Sequence, residues 1–596
     1  MNEKEYLMMK RRWIWTLAVA ALFCSCSVSE DLEMEVPSAE DCILEVAVGL
    51  GDGGKTRGLS GNASSITATW QEGDKVLVYK GSTKVGELTP ASTGSASTTL
   101  RGKLSGTYAS YTAGSTLTLY YNTTSTSFSS FTQDGTLATI LANLRYQSAT
   151  TTISKASDRP ALTGTAVTFN LAANNPSINH FTLNQAMKTL RVCVKGSSSI
   201  LASATAASPT TDFYVAIPAA ASQTYYIEGV DSRQSEYFQA KTAALSANKY
   251  YSASITLAEY PLTFEPVSAT TTVTIPNSES LTYEYSLNDG ASWTSSSAAS
   301  VAMNVSAGQR LMVRRLTGNC ANGIGTITIS QPCLVYGNVH SLFGFRNMLT
   351  GSFGENGYYE LFKDQTNLWN HGFRNICIVP VDGTDKADNL YQMFYGMFYG
   401  CSSLMIAPVL DFSNFDTSEV GIMGSMFYSM FYGCHSLTTA PDLNLSSLET
   451  SLVVDMANMF SSMFYGCSSL LTAPVLNLSN LDTSQVLNMA SMFSSMFFGC
   501  SRLTTAPVLN LSNLDTSRVL YMYVMFNRMF SGCGSLNAVK MKLTNTEILG
   551  NTEMFTNFLT GANTTGTLTV SSGTTNYWNA IKTAGCIPSG WTITEQ

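Results

Sequence analysis

The sequence predicts a multidomain protein in which N-terminal all-β sandwich domains precede an α/β solenoid built from stacked repeats. Three observations predict this fold. The length of 596 residues favours several domains, and many short apolar runs separated by Gly, Ser and Asn in the first half are typical of antiparallel sheets. The second half repeats with a constant period of 33 residues. Arrays of this kind usually display a surface, so we expect a binding function.

The repeat is marked by a Gly-Cys pair and fills residues 391–555. Its cysteines, each 33 residues after the one before, are Cys401, Cys434, Cys467, Cys500 and Cys533. One unit of this length cannot bury enough apolar surface to offset the conformational entropy that it loses on folding. Neighbouring units must therefore cover each other, which predicts one continuous array.

Each unit is expected to run strand, turn, helix, turn. In the third unit, residues 475–479 alternate between apolar and polar, which predicts a short strand. The oxygen-bearing residues 482–484, Asp-Thr-Ser, then predict a helix N-cap. The apolar residues of 486–497 recur in steps of three and four, as on one face of a helix, and Gly499 stands where that helix would end.

The outward positions of the predicted strands carry short polar side chains that form a ladder along the array. They are Asp411, Asn444, Asn477, Asn510, Ser413, Ser446, Ser479 and Ser512. We interpret this polar ladder as the candidate binding face. A merely solvated strand face is the alternative, because short uncharged side chains carry no directed chemistry.

Residues 463–470, Met-Phe-Tyr-Gly-Cys-Ser-Ser-Leu, and their copies are followed by Ala-Pro and Leu-Asn-Leu segments. This pattern resembles the BspA-like leucine-rich repeats of bacterial surface proteins over about 390–555. The resemblance implies an α/β leucine-rich-repeat solenoid with a right-handed, horseshoe-like course. It also implies adhesion or recognition at the cell surface, with a host or bacterial surface protein or glycan as the partner.

Residues 1–26 are predicted to be a lipoprotein signal peptide. Basic residues at 10–12 precede an apolar run, 13–23, that is too short to span a membrane. The run leads into a segment that resembles a lipobox, with Cys26 as the acylated residue and Cys24 as the rival site. We therefore expect an outer-membrane lipoprotein, exposed on the surface of a Gram-negative bacterium. Acidic residues in the linker, 27–42, resemble an export signal, and an ordinary charged linker is the alternative.

Residues 43–258 are expected to form β-sandwiches, and four segments resemble the fimbrillin-like family. These segments are 70–74 (Trp-Gln-Glu-Gly-Asp), 187–192 (Met-Lys-Thr-Leu-Arg-Val), 215–218 (Val-Ala-Ile-Pro) and 245–251 (Leu-Ser-Ala-Asn-Lys-Tyr-Tyr). The family supplies pilus subunits and anchors, and cleavage at an early Arg opens a groove for a strand donated by another subunit. Arg57 is the matching position, so the resemblance implies proteolytic processing there and other fimbrillin-like subunits as partners. The alternative is that Arg57 is an ordinary basic residue in a Gly-rich loop.

A separate β-sandwich-like module is expected at 259–336. Its segment 285–293, Tyr-Ser-Leu-Asn-Asp-Gly-Ala-Ser-Trp, resembles an Asp-box hairpin, in which Asp-Gly sets the turn and Trp packs beneath it. Residues 337–390 are expected to cap the start of the solenoid and residues 556–596 its end, because the terminal units of a stack must be atypical.

The composition argues against several classes of function. A net charge of −8 with 12% charged residues offers no basic face for nucleic acid. Four histidines and no Cys-x-x-Cys pair give no metal-ligand spacing, and no cofactor is expected. No Ser/His/Asp arrangement stands out, so we expect no catalytic residue and no enzyme. The repeat cysteines are expected to be small buried core residues, because equivalent side chains on adjacent coils point the same way and do not converge.

Two functions therefore remain. The first is a cell-surface lipoprotein that presents the repeats as an adhesion or recognition module. The alternative is an accessory or tip subunit of a fimbrillin-type pilus assembled by strand exchange.

Overall fold

The computed structural model divides the chain into two compact units. One comprises Met1–Ser130 and Leu141–Asn175, and the other comprises Phe131–Ile140 and Pro176–Gln596. The residues that the structure describes are 42–50, 60–62, 65–67, 70, 72–95, 97–121, 133–143, 147–155, 161–169, 176–197, 199–246, 249–278, 281–317, 323–342, 357–370, 374–379, 385–386, 389–413, 415–441, 443–474, 476–478 and 480–596.

The first unit contains a closed β-barrel. Its elements are β1 (Cys42–Leu50), β2 (Ser60–Asn62), β3 (Ser65–Thr67), β4 (Val76–Lys80), β5 (Thr83–Pro90), β6 (Ser97–Leu104), a 3₁₀ turn (Tyr108–Ser110), β7 (Thr116–Tyr121), β8 (Gln147–Lys155) and β9 (Ala161–Phe169). The barrel order is β1-β6-β5-β4-β7-β8-β9, while β2 and β3 form a separate hairpin. Because β1 pairs with β6 on one edge and β9 on the other, the sheet closes on itself, and the predicted sandwich is wrong here.

The second unit begins with a sheet that is antiparallel except for one parallel pair of strands. Its first elements are helix α1 (Leu137–Asn143), which both units share, and strands β10 (Ser177–Val194), β11 (Ile200–Ile217), β12 (Ala220–Val230), β13 (Glu236–Leu245), β14 (Tyr250–Ile255) and β15 (Ala258–Glu259). Strands β10 to β15 make one six-stranded sheet, in which β10 and β11 are long and irregular in register. Alternate side chains of this sheet, such as Leu190 and Val192, are buried in a core of their own.

The next module shares a β-sheet with the first repeats. Its elements are β16 (Leu262–Pro266), β17 (Thr271–Pro276), β18 (Thr282–Ser286), β19 (Thr294–Ser296), β20 (Ser300–Val305), β21 (Leu311–Thr317), β22 (Thr328–Ile329), β23 (Cys333–Asn338), a 3₁₀ turn (Val339–Leu342), β24 (Leu368–Trp369), β25 (Ile376–Ile378) and β26 (Asp385–Lys386). Strands β18 and β19 pair around Asp289 and Gly290, both with positive φ, which confirms the predicted Asp-box hairpin. Strand β23 pairs in parallel with β25, so one sheet continues from this module into the first coils.

The repeats form a stack of coils with short parallel strands. The elements are β27 (Val409–Leu410), β28 (Phe415–Asp416), β29 (Leu443–Asn444), β30 (Leu476–Asn477), β31 (Thr505–Asn510), β32 (Ala538–Lys542), α2 (Thr546–Leu549), a 3₁₀ turn (Thr552–Phe555), β33 (Thr565–Val570), α3 (Thr575–Thr583) and β34 (Gly590–Glu595). Parallel pairing links β29 to β30 and joins β31, β32, β33 and β34 in order. We call this region the coil stack.

The predicted repeat helices are wrong, and with them the α/β leucine-rich-repeat solenoid. The segments assigned to helices are chains of turns at 390–401, 423–434, 456–467, 489–500 and 522–533, which together form what we call the turn ribbon. Within it, every fourth residue has a positive φ, as at Ser425 (56°), Ser429 (52°) and Gly433 (71°). A right-handed α-helix cannot contain such residues at regular intervals, because its φ values are all negative.

The turn ribbon satisfies its backbone by alternating two kinds of hydrogen bond. The Phe427 N–H donates to the Met459 carbonyl of the next coil (2.9 Å), and the Ser429 N–H donates to that of Ser461 (3.0 Å). The intervening Met430 N–H donates within its own coil to the Phe427 carbonyl (3.2 Å). Each buried backbone donor therefore has an acceptor without a helix, as burial requires.

The Asp-Thr-Ser segments join coils and do not cap helices. The Thr483 hydroxyl accepts the Asp515 N–H of the next coil (2.8 Å) and donates to the Asp515 carbonyl (3.1 Å). Thr450 makes the same pair of bonds with Asp482 (2.7 and 3.2 Å). These threonine side chains are buried, and their paired hydrogen bonds hold adjacent coils together.

The core of the coil stack consists of Met and Phe side chains that the turn ribbon points inward. Phe398, Phe431, Phe464, Phe497 and Phe530 form one row of parallel rings, with centroids 5.4–5.5 Å apart. All five are fully buried. Each coil therefore covers the ring of its neighbour, as the entropy argument for a single unit requires.

A buried ionic junction ties the three parts of the second unit together. Arg374, just before β25, donates to Glu228 of β12 (Nη2–Oε1 2.7 Å) and to Glu265 of β16 (Nη1–Oε2 3.3 Å). Arg310 donates to Asp289 (Nε–Oδ1 3.0 Å), and its guanidinium lies 3.7 Å from the centre of the Tyr226 ring. The side chains of Arg374, Glu228 and Arg310 are at most 7% exposed.

Candidate recognition surface

Several side chains of the polar ladder predicted from the sequence accept hydrogen bonds within their own turns. The Asp411 carboxylate accepts the Ser413 N–H (2.9 Å), and the Asn444 side-chain carbonyl accepts the Ser446 N–H (3.1 Å). In the same way Asn510 accepts from both the N–H (3.4 Å) and the hydroxyl (2.8 Å) of Ser512. Such Asx turns end a strand and turn the chain. For these three pairs the ladder therefore has a structural explanation.

Several other predicted positions lie outside what the structure describes. Asn477 belongs to β30, but its side chain is not among those described, and Ser479 falls outside the described residues. Cys26 and Arg57 also lie outside them. Lipidation at Cys26 and processing at Arg57 therefore stay predictions from the sequence.

The outer face of the turn ribbon carries two rows of stacked aromatic rings. One row consists of Tyr399, Tyr432, Tyr465 and Phe498, with centroids 4.5–4.6 Å apart and ring planes within 9° of parallel. The other consists of Tyr359, Tyr395 and Tyr428, with centroids 4.9 Å apart. The rings are half-buried, because each is covered by its neighbours and leaves an edge in solvent. We call these the outer aromatic rows.

Small residues separate the two rows along each coil. Ser429 and Gly433 follow Tyr428 and Tyr432 at the positions with positive φ, where a larger β-branched side chain would be strained. The Ser461 hydroxyl donates to the Ser494 carbonyl of the next coil (3.1 Å), which fixes the spacing of the coils. Ser429 and Ser461 are themselves buried, while Gly433 and Ser494 are partly exposed, so the surface beside the rings consists of Gly and of some of the Ser residues.

Stacking also affects the phenols themselves. Desolvation raises the pKa of Tyr432, and the neighbouring Tyr465 and Tyr399 raise it further. Desolvation likewise raises the pKa of Tyr395. These phenols are therefore neutral at physiological pH, and they offer hydroxyl groups and ring edges to a partner.

The repeat cysteines lie beneath this surface as isolated thiols. The Cys467 thiol donates to the Phe431 carbonyl of the preceding coil (3.1 Å), and Cys434, Cys500 and Cys533 repeat the contact. All are buried, and desolvation raises the pKa of Cys533 to about 12. The prediction that they are small core residues is confirmed, and burial favours the neutral thiol, the less nucleophilic form.

Sequence reasoning missed one group, Ser252, His180 and Asp212. His180 Nε2 lies 3.0 Å from the Asp212 carboxylate, and Nδ1 lies 3.5 Å from the Ser252 hydroxyl. The three come together because β10 lies between β11 and β14, with His180 opposite Ser252 in the register. The hydrogen bond from His180 lowers the pKa of Asp212. Since the Asp212 side chain is 54% exposed and the His180 ring is stacked on Tyr214, we interpret the group as sheet-stabilising cross-strand pairs.

Among the residues that the structure describes, no group of three or more His, Cys, Asp or Glu side chains is arranged to hold a metal ion. In the same part of the chain, the helices are all too short or too polar to cross a membrane.

A family model matches the repeats. Residues 388–495 and 428–563 match a family described as Mycoplasma protein of unknown function, DUF285. This region is less than half of the chain. No curated protein matches. The resemblance to BspA-like repeats stays a prediction, and the α/β fold that it implied is wrong, because turns replace the helices.

Two solved structures give distant similarities. The Bacillus anthracis TIE protein is 7% identical, with 47% of this chain and 46% of that chain covered and a TM-score of 0.13. A streptococcal ancillary pilin is 8% identical, with 47% of this chain and 92% of that chain covered and a TM-score of 0.14. The chain spans about half the length of the TIE protein. Neither similarity is close enough to assign a fold or a function.

Proposed function

We propose that this chain is a cell-surface protein that presents the turn ribbon of its coil stack as a recognition or adhesion surface. The observation that carries the proposal is the pair of outer aromatic rows. They consist of half-buried rings in a fixed frame at 4.5–4.9 Å spacing, on a face that is mainly Tyr, Ser and Gly.

This composition has a physical rationale as a binding surface. Tyr supplies a large amphipathic contact area at a small cost in conformational entropy, and Ser and Gly allow close approach of a partner. Tyr is also enriched at the energetic centres of protein interfaces. Because the stacked rings are already ordered by their neighbours, binding would lose little further side-chain entropy. The partner that suits this face best is a host or bacterial surface protein, and a glycan is the next choice.

The surface location rests on the N-terminal sequence. A short apolar run ending in a lipobox-like segment supports an outer-membrane lipoprotein acylated at Cys26. Two acyl chains or more make such an anchor stable. The expected result from native membranes is an N-terminal peptide beginning with acylated Cys26, together with release of the coil stack when intact cells are treated with protease. A non-acylated N-terminus and a protease-resistant coil stack would contradict the proposal.

The recognition surface is tested by adhesion of purified full-length protein to immobilised mucin and to immobilised extracellular-matrix proteins. Replacing Tyr432 and Tyr465 with Ser should weaken adhesion at least tenfold, which corresponds to about 1.4 kcal/mol or more. The matched control is Tyr521→Ser, because Tyr521 is 57% exposed on the same stack but lies outside the outer aromatic rows. Equal adhesion by both variants, with both folded, would refute this assignment of the surface.

A second candidate is an accessory or tip subunit of a pilus assembled by strand exchange. One observation favours it. Strand β1 closes the barrel by pairing on both edges, and it lies directly N-terminal to Arg57 in the sequence. Cleavage after Arg57 would convert β1 into a separate peptide and allow another strand to replace it between β6 and β9. This reading predicts an N-terminus at Gly58 and membership of high-mass polymers, whereas the anchored protein would stay monomeric.

A further inference from the structure

A cleft in the second unit has the properties of a small-molecule site. It has a volume of about 510 Å³ and lies between β13 and β15 on one side and the β18–β19 hairpin with β21 on the other. Its lining includes Phe238, Gln239, Glu259, Trp293 and Met312. Ligand sites in proteins commonly have volumes of roughly 300–1,000 Å³, so this cleft is large enough for a small ring compound.

The cleft is held open by the hairpin, which is fixed at its turn. Asp289 accepts from Lys195 Nζ (2.5 Å), from the Tyr226 hydroxyl (3.0 Å) and from Arg310 Nε (3.0 Å). These partners belong to β12, to the loop after β10 and to the segment before β21, so the turn is tied to both walls. Because the hairpin turn is already fixed, the protein would lose little conformational entropy when a ligand binds.

The lining combines an apolar wall with hydrogen-bonding groups that still have capacity. Phe238 and Met312 are buried, and Trp293 is half-buried. Gln239 Oε1 accepts the Thr256 N–H (3.2 Å), while its amide Nε2 donates to no group among the described residues. One oxygen of Glu259 accepts from Asn338 Nδ2 (2.6 Å), and its other oxygen has no hydrogen-bond donor within the described part of the chain. One donor and one acceptor therefore remain for a ligand.

The charges around the cleft are compensated. Arg314, whose guanidinium lies 4.0 Å from the centre of the Trp293 ring, is paired with Glu284 (2.9 Å). In the adjoining buried junction, Lys195, Arg310 and Arg374 balance the carboxylates of Asp289, Glu228 and Glu265. Desolvation raises the pKa of Glu259 to about 7, so this carboxyl is only partly ionised near neutral pH. A carboxylate ligand would find no uncompensated cation to offset the loss of its hydration, whereas an ammonium group could pair with the ionised fraction of Glu259.

We propose that this cleft binds a neutral saccharide. A sugar ring has an apolar C–H face for the Trp293 ring, since Phe238 is already stacked on Tyr260 (4.1 Å), and hydroxyl groups that can accept from Gln239 and donate to Glu259. The site is separate from the outer aromatic rows, so the proposal goes beyond the recognition surface and does not depend on it.

The test measures binding of neutral sugars to the full-length protein by saturation-transfer NMR and calorimetry. The probes are galactose, N-acetylglucosamine, lactose and chitobiose, compared with N-acetylneuraminic acid as an anionic sugar. At least one neutral sugar should bind with a millimolar or lower Kd, and N-acetylneuraminic acid should bind at least tenfold more weakly. Absence of binding by all neutral sugars, or a preference for the anionic one, would overturn the proposal.

Substitutions of cleft residues test whether the sugar binds in the cleft. Gln239→Ala removes the available donor and should weaken binding about tenfold, the loss expected when a hydrogen bond of about 1.4 kcal/mol is missing. Ser254→Ala is the matched control, since Ser254 is exposed on β14 and does not line the cleft. Trp293→Leu should abolish binding, and circular dichroism checks that it folds. Unchanged affinity in folded Gln239→Ala and Trp293→Leu proteins would show that the sugar binds elsewhere and would refute the site.

Discussion

Arg374→Met should destabilise the second unit strongly, because it leaves two carboxylates without their cationic partner, each with a hydrogen bond from a Tyr hydroxyl remaining. Arg374 donates twice to Glu228, from Nε (3.0 Å) and Nη2 (2.7 Å), and once to Glu265 from Nη1 (3.3 Å). The exposed fractions of these side chains are 7% for Arg374, 3% for Glu228 and 14% for Glu265. Removing one partner of a buried ion pair costs about 3–5 kcal/mol in the free energy of unfolding, since the remaining charge stays desolvated.

The assay is urea unfolding of the full-length protein at pH 7, followed by circular dichroism and by Trp fluorescence. Arg314→Met is the matched control, because Arg314 also forms an Arg–Glu pair at 2.9 Å but its side chain is 46% exposed. An exposed pair contributes about 0–1 kcal/mol, so the control should shift the transition little. Arg374→Met should shift it far more, and it should separate the transition of the coil stack from that of the sheets before it.

A rescue variant distinguishes the buried charge from simple loss of packing. Changing Glu228 and Glu265 to Gln in the Arg374→Met background removes the uncompensated charges while it keeps the shape of both side chains. Most of the lost stability should return, because replacing a buried ionic cluster with neutral groups is often close to neutral overall. Equal shifts for Arg374→Met and Arg314→Met, or no recovery in the triple variant, would refute the reasoning.

Three other predictions follow from the turn ribbon and the sheets. Ser462→Val should destabilise the coil stack by about 1–2 kcal/mol in chemical unfolding because φ is 56° there, whereas Ser462→Gly should be neutral or stabilising. Phe464→Ala should cost about 3–5 kcal/mol in the same experiment, since its ring is fully buried between two others. Burial raises the pKa of Glu236 to about 8, so the folded state holds a proton that the unfolded state releases above its ordinary pKa near 4.5. The free energy of unfolding should therefore fall as pH rises from about 5 to about 8, and Glu236→Gln should flatten this slope in pH-dependent thermal melts.

The elements that could be predicted from the sequence are those set by local chemistry or strict periodicity. The spacing of Cys401 and its four copies predicts a stack, and the structure places each of these thiols at the same buried position. The Asp289–Gly290 pair predicts a hairpin because few other residues accept positive φ. The barrel could not be predicted in this way, since its closure depends on β1 meeting β9, a partner more than 100 residues away in the chain.

The helices were predicted because apolar steps of three and four suit both a helix and the turn ribbon. The distinguishing signal is that Met-Phe pairs recur every four residues, as at Met426-Phe427 and Met430-Phe431. At about 100° per residue, a step of four overshoots a full helical turn by about 40°, so such pairs would drift around a helix. Ser or Gly at most of these fourth positions is the second signal, because Gly tolerates a left-handed conformation and the small Ser side chain fits there. The exceptions are Gln392, Asn458, Val524 and Arg528.

The same replacement of helix by turns explains why the outer aromatic rows were missed. Helices of neighbouring repeats would lie about 8–10 Å apart, and equivalent Tyr rings on them could not stack. The turn ribbon instead joins adjacent coils by backbone hydrogen bonds, as strands do, which brings equivalent residues to about 4.8 Å. The ring centroids of Tyr432 and Tyr465 are therefore 4.5 Å apart. On a helix each ring would be an isolated exposed side chain, whereas here the rings form a continuous aromatic surface. The small residues that prevent the helix thus also create the surface that we propose for recognition.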